Sequence, residues 1–167
     1  MPAHGILVDE GLTSSRYMPS LHPYRDRYGY HAIASGGIGW GLPASVGASL
    51  ANPGRPVVCF SGDGSAMFSI QALWTAAHHK LPLTAVLANN GGYRIIKQRL
   101  LAFHGGSHFT GMDFAHPSID FAGIAAALGL KSVRVGAPAD LPGVLSQAFN
   151  TPGAKLIEVL VEGSVAA

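Results

Sequence analysis

Charge is scarce in this chain: Asp, Glu, Lys and Arg supply 12% of its 167 residues, against 48% hydrophobic residues. Globular domains usually carry about a quarter charged residues. Part of the surface is therefore expected to be covered by another domain, a partner chain or a symmetry mate, because obligate interfaces are more apolar than open surface. The alternative is that small residues account for the balance, alanines raising the apolar count and 22 glycines diluting the charged fraction. Cysteine is nearly absent. Cys59 alone cannot form an internal disulfide, and its place in the apolar run 56–60 reads as a buried strand residue in a reducing compartment. No apolar run approaches 18 residues, and the start Met-Pro-Ala-His-Gly lacks the basic and long apolar segments of a secretory signal. No membrane association and a cytoplasmic location are the expectations. The strand-like Ile6-Leu7-Val8 opens the chain abruptly, which fits an upstream truncation and a short natural subunit equally well. A net charge of +2 is dispersed except at Arg94, Lys97 and Arg99. That cluster reads as solvated helix surface, so no nucleic-acid partner is expected.

The length suits one compact domain with a substantial core. Apolar runs at residues 6–8, 56–60, 83–88, 131–135 and 155–160 read as strands. They alternate with helical spacing at 43–50, 68–78, 93–103, 119–128 and 141–149. Residues 19–31 and 104–118 have no clean period and read as long loops, which in compact domains are often functional. A glycine-dense stretch before Pro43 fits a helix start. The pattern predicts an α/β three-layer sandwich: a mostly parallel central sheet covered by helices on both faces. Ligands of such sheets collect beyond the carboxyl ends of the strands, where the tight glycine turns fall.

Two of those turns carry chemistry. Asp63, in Gly62-Asp63-Gly64-Ser65, follows one strand, and Asn90, in Asn89-Asn90-Gly91-Gly92, follows the next, 27 positions later. Two parallel strands with a helix between them would deliver both residues to one edge of the sheet. A carboxylate, an amide oxygen and the Gly92 carbonyl make a hard, all-oxygen ligand set of the kind Mg2+ takes, with phosphate oxygens or water completing the octahedron. The helix starting near Ser65 would offer unpaired N–H groups to phosphate. Each motif alone is an ordinary turn; their joint placement is what points to a metal and a phosphate.

The segment from Gly62-Asp63-Gly64-Ser65 to Asn89-Asn90 resembles the signature of thiamine-diphosphate-dependent enzymes, which opens with Gly-Asp-Gly and closes with Asn-Asn. The likeness extends through Gly36-Gly37-Ile38-Gly39, Leu42-Pro43-Ala44 and residues 69–77 to the C-terminal, diphosphate-binding domain of the benzoylformate decarboxylase group and its acetolactate synthase and pyruvate decarboxylase relatives. It implies thiamine diphosphate and Mg2+ as cofactors, with Asp63, Asn90 and Gly92 as metal ligands. Gly64, Ser65 and Tyr93 would line the diphosphate, and Leu12 and Thr13 align with a pair that caps it; Thr13 keeps a hydroxyl, whereas Leu12 replaces a polar residue. Ile38 matches the apolar buttress between the cofactor's two rings, and a carbonyl near Gly36 and Gly37 would accept from the 4′-amino group. Ile95, Ile96 and Arg99 fall where the decarboxylase shapes its substrate pocket, and Arg99 replaces an aromatic residue.

The implied activity is decarboxylation of a small 2-keto acid, with acetolactate-synthase-like or 2-hydroxyacyl-CoA-lyase-like carboligation as the enzymatic alternative. In this family the activating glutamate belongs to a pyrimidine-binding domain, and no segment here resembles one. Residues 1–167 are thus expected to be a single diphosphate- and Mg2+-binding domain without independent catalytic residues, completed by that missing domain or a partner subunit in a homo-oligomeric enzyme. A non-catalytic structural subunit is the reading from another class, which the intact Asp63 and Asn90 oppose. A dinucleotide-binding fold is opposed by the lack of Gly-x-Gly-x-x-Gly after the first strand. The loop histidines His31, His104, His108 and His116 have no serine or cysteine partner in a triad pattern and no zinc-ligand spacing.

Overall fold

The computed structural model describes residues 1–165. Six strands, β1 (Ile6–Glu10), β2 (Tyr30–Ala32), β3 (Val57–Gly62), β4 (Leu83–Asn89), β5 (Lys131–Val135) and β6 (Lys155–Leu160), form one sheet in the order β2-β1-β3-β4-β6-β5. Every pairing is parallel. The helices are α1 (Met18–Leu21), α2 (Gly41–Ala51), α3 (Asp63–Ala66), α4 (Ala72–His78), α5 (Arg94–His104), α6 (Phe121–Ala127) and α7 (Leu141–Phe149). Among the described residues no helix is long and apolar enough to cross a membrane.

Successive strand side chains point to opposite faces, and here both faces are covered. Ile6, Val57, Cys59, Leu83, Leu87 and Leu156 pack with Leu42 and Val46 of α2, Leu73 and Ala76 of α4, and Phe121 and Ala125 of α6. On the other face Leu7, Val58, Val86, Val135 and Ile157 meet Val144, Leu145 and Ala148 of α7 and Met18 of α1. Strands buried on both sides show continuous apolar runs instead of alternation, which is why residues 56–60 and 83–88 were legible. Each fully buried Leu or Ile in this core stabilises the fold by roughly 1.5–3 kcal/mol. The buried serines Ser45 and Ser49 of α2 are small enough to let that helix lie close to the sheet.

Three expectations are corrected. Residues 19–31 are not a plain loop: α1 begins at Met18, and Tyr30–Ala32 pairs with β1 as an edge strand too short to show a period. The helix expected over 68–78 begins only at Ala72; before it, N–H groups reach carbonyls three residues back, as Phe68 does to Ser65 and Ala72 to Ser69. The basic cluster is not uniformly solvated. Lys97 is buried, ion-paired with Asp113 and close to the Phe109 ring, while Arg94 Nε donates to the Ser164 carbonyl. Only Arg99 of the three is exposed.

Candidate functional site

The chain leaves β1 for β2 on one side and returns to β3 on the other, so the strand order reverses between β1 and β3. Crevices form at such a reversal, beyond the carboxyl ends of the strands. A cavity of about 290 Å³ lies there. Gly11, Leu12 and Thr13 enter its wall from the end of β1, residues 62–65 from β3, and Asn90, Gly92 and Tyr93 from β4. Gly36 and Ile38 enter from the loop after β2, and Arg94, Ile95 and Ile96 from the start of α5.

Adjacent pairing of β3 with β4, Gly62 opposite Ala88, puts the two turns side by side. Asp63 is buried, and its Oδ2 accepts from the N–H groups of Gly91 at 2.9 Å and Gly92 at 3.1 Å. Burial pushes the Asp63 carboxyl above its ordinary range, and the surrounding backbone N–H groups of Gly64, Gly92 and Gly91 offset this only in part. An ionised carboxylate here gains from a nearby cation. Beside it, Asn90 Oδ1 and Ser65 Oγ are buried with no hydrogen-bond partner among the described residues. Buried polar atoms are nearly always satisfied, so orphans at a cavity wall suit a site completed by water, an ion or a ligand. Among the described residues no three His, Cys, Asp or Glu side chains converge as metal ligands. A cation site here has to draw on amide and carbonyl oxygens as well, and those are what the turns present. The Gly92 carbonyl accepts from the Arg94 N–H at 3.1 Å and keeps a second lone pair.

Close approach fixes the glycines. A Cβ on Gly64 would lie 2.8 Å from the Tyr93 ring, and one on Gly92 would lie 2.3 Å from the Met112 carbonyl oxygen. Tyr93 in turn meets Phe114 edge to face, with ring centroids 4.8 Å apart. Residues 91–93 bond to the returning segment through Tyr93 N–H to Met112 and Phe114 N–H to Gly91, at 2.9 and 2.8 Å. Leu12 holds a φ of 48° without being glycine, a sparsely populated conformation that recurs where backbone shape serves a site.

The loop holding Gly36 and Ile38 is anchored by Glu10, which is fully buried. Its Oε1 accepts from the N–H groups of Gly39 and Trp40 and its Oε2 from that of Gly41, at 2.8, 3.0 and 2.8 Å. Glu10 thereby occupies the N-terminal anion position of α2 with the chain's own carboxylate.

Residues 11–159 match the family described as thiamine pyrophosphate enzyme, C-terminal TPP binding domain. The chain belongs to this family. Thiamine pyrophosphate and thiamine diphosphate are two names for one cofactor. The chain is 39% identical over 78% of its length to the acetolactate synthase isozyme 1 large subunit of Escherichia coli strain K12, spanning 23% of that protein. It is 34% identical over 95% of its length to benzoylformate decarboxylase of Pseudomonas aeruginosa, spanning 29% of it. A solved structure of the thiamine diphosphate-dependent 4-hydroxybenzoylformate decarboxylase of Rhodococcus jostii superposes with a TM-score of 0.90 at 34% identity, covering 99% of this chain and 31% of that one. The chain thus spans a third or less of the relatives it matches.

As a thiamine-diphosphate-binding domain, the chain brings most of the residues singled out in its sequence to one cavity: Thr13, Gly36, Ile38, Asp63, Gly64, Ser65, Asn90, Gly92, Tyr93, Ile95 and Ile96 all lie in its wall. Gly37 and Arg99 are exposed and outside that wall, and no histidine enters it. The basic residue that does is Arg94, five positions before Arg99 on α5. Nothing in the sequence singles out Glu10, because its three donors lie about 30 residues away along the chain. α3 is a single turn, Asp63–Ala66, so the N–H groups facing the cavity are those of a tight loop more than of a long helix.

Proposed function

We propose that this chain is the diphosphate- and Mg2+-holding part of a cytoplasmic 2-keto acid decarboxylase of the benzoylformate decarboxylase type. The observation that carries the reading is the buried Asn90 Oδ1, without a hydrogen-bond partner among the described residues, beside the Asp63 carboxylate at the carboxyl edge of the sheet. Asp63, Asn90 Oδ1 and the Gly92 carbonyl would hold Mg2+, with Asp63 supplying the charge. Gly64, the Ser65 hydroxyl, Tyr93 and the Thr13 hydroxyl would receive the diphosphate, Ile38 would support the cofactor, and backbone at Gly36 and Gly37 would bind its amino group. Bound thiamine diphosphate supplies the carbon nucleophile and the electron sink that decarboxylation requires.

The chain's own residues bind, orient and exclude water. Ile38, Ile95 and Ile96 give the cavity an apolar wall suited to a keto acid with an apolar or aromatic substituent, and Arg94 is the wall's cation for a carboxylate. Arg99 would act only at the approach to the pocket. The activating carboxylate would come from a pyrimidine-binding domain, on another segment or a partner subunit of a homo-oligomer. Acetolactate-synthase-like carboligation is the second reading, favoured by the 39% identity to the Escherichia coli enzyme.

Purified chain combined with candidate pyrimidine-binding partners, thiamine diphosphate and Mg2+ should release CO2 and benzaldehyde from benzoylformate. Condensation of pyruvate into acetolactate without benzoylformate turnover would establish the second reading. A completed assembly that binds the cofactor yet acts on no keto acid would overturn both.

A further inference from the structure

One buried carboxylate close to the site takes no part in holding the cofactor or the ion. Glu158, on β6, is fully buried. Its Oε1 accepts from Asn89 Nδ2 at 2.6 Å and its Oε2 from Arg134 Nε on β5 at 2.7 Å. Asn89 carries the contact onward: its Oδ1 accepts from the Gly91 N–H at 3.0 Å, the same N–H that donates to Asp63 Oδ2 at 2.9 Å. Its backbone carbonyl accepts from the Val161 N–H at 2.9 Å. The chain beyond β6 then runs so close beneath the turn that a Cβ on Gly163 would lie 2.1 Å from the Asn90 carbonyl oxygen.

Hydrogen-bond polarity makes this a directed chain. Arg134 can only donate, so Glu158 must accept; Glu158 then holds the amide nitrogen of Asn89 toward itself, which leaves the Asn89 oxygen facing the Gly91 N–H. Gly91 sits at φ 75°, in a turn that backbone preference alone does not fix. We infer that Glu158 is a positioning residue: acting through Asn89, it sets the Asn90-Gly91-Gly92 turn and so the aim of the Asn90 and Asp63 oxygens. This rests on reading those two oxygens as the ion-binding pair. Arg134 keeps the buried charge compensated, and Asp120, 3.5 Å from Arg134 and capping α6 through the Gly123 N–H, ties the far end of the network to the fold.

The test replaces the acceptor while keeping the size. Glu158→Gln keeps one oxygen for Arg134 and turns its NH2 toward Asn89, whose amide then either loses its acceptor or flips and withdraws its oxygen from the Gly91 N–H; Glu158→Asp keeps the charge near Arg134 but withdraws the oxygen from Asn89. Amide hydrogen exchange followed by NMR should show Gly91 and Gly92 exchanging at least about fivefold faster in both variants, with Ala85 and Val86 in the same sheet unchanged. Asn89→Ala should produce the same local effect, and the double variant Glu158→Gln/Asn89→Ala should add nothing to it, because one pathway is cut twice. Titration with Mg2+ and thiamine diphosphate should then show about tenfold weaker binding in each variant.

Unchanged exchange at Gly91 and Gly92 would overturn the proposal, and so would acceleration spread evenly through β4 and β6 or additive effects in the double variant. Faster local exchange combined with no Mg2+-dependent cofactor binding by the wild-type chain would instead remove the ion-site reading and leave the positioning contact standing.

Discussion

Glu10 and Asp63 stand at the ends of the neighbouring strands β1 and β3, both buried, both met by backbone N–H groups, yet they are differently satisfied. Glu10 receives three N–H groups distributed over both its oxygens, all from the loop and first turn of α2. Asp63 receives Gly91 and Gly92 on one oxygen and has the orphaned Asn90 Oδ1 and Ser65 Oγ for company. On the proposed reading, the contrast separates a carboxylate whose work is internal from one that would bind something outside the chain. A buried charge can anchor structure or await a ligand, and unsatisfied polar atoms sharing a cavity wall with it favour the second.

The largest effect is expected at the internal carboxylate. Glu10→Gln turns an acceptor toward N–H groups into a donor and should lower the unfolding free energy by about 3 kcal/mol, measured by denaturant titration of the ligand-free chain. If Glu10 behaved like Asp63, stability would hardly move. Asp63→Asn should do the reverse: Mg2+-dependent cofactor affinity falls by about 100-fold, while ligand-free stability at neutral pH stays within about 1 kcal/mol of wild type or rises, because an under-compensated buried charge has been removed.

The Cys59 thiol, on β3 in the hydrophobic core, is pushed by burial up to about 12. A folded-state value raised above the ordinary 9.0 gives stability that is complete below pH 9 and is lost as pH climbs toward 12. Wild type should therefore lose up to about 1.4 kcal/mol per pH unit more than Cys59→Ala across that window, read from unfolding curves at matched pH. Equal slopes would mean that the thiol ionises as freely folded as unfolded. The smallest effect belongs to Thr13→Val, which removes one hydroxyl from the cavity wall; cofactor affinity should fall about threefold to tenfold, with the unfolding midpoint unchanged.

The same contrast explains what the sequence could reveal. Asp63 and Asn90 were readable because each directly follows a long apolar strand buried on both faces, so sequence order becomes spatial adjacency once the strands pair in parallel. Glu10, Glu158 and Lys97 were not, because their partners are set by tertiary folding: Gly39 lies 29 residues from Glu10 and Asn89 lies 69 from Glu158. β2 escaped because three residues at a sheet edge carry no period. On α5 the exposed Arg99 and the cavity-lining Arg94 are alike in composition, and only the docking of the helix against the turn after β4 tells them apart.

If Asp63 and Asn90 form an ion-dependent diphosphate site, calorimetric titration of thiamine diphosphate into the chain, with and without Mg2+, reads it directly in wild type, Asp63→Ala and Asn90→Ala. The expected result is binding that requires Mg2+ and disappears in both variants while all three proteins keep the same far-UV circular dichroism. Binding of equal strength in wild type and Asp63→Ala, or binding indifferent to Mg2+, would contradict it.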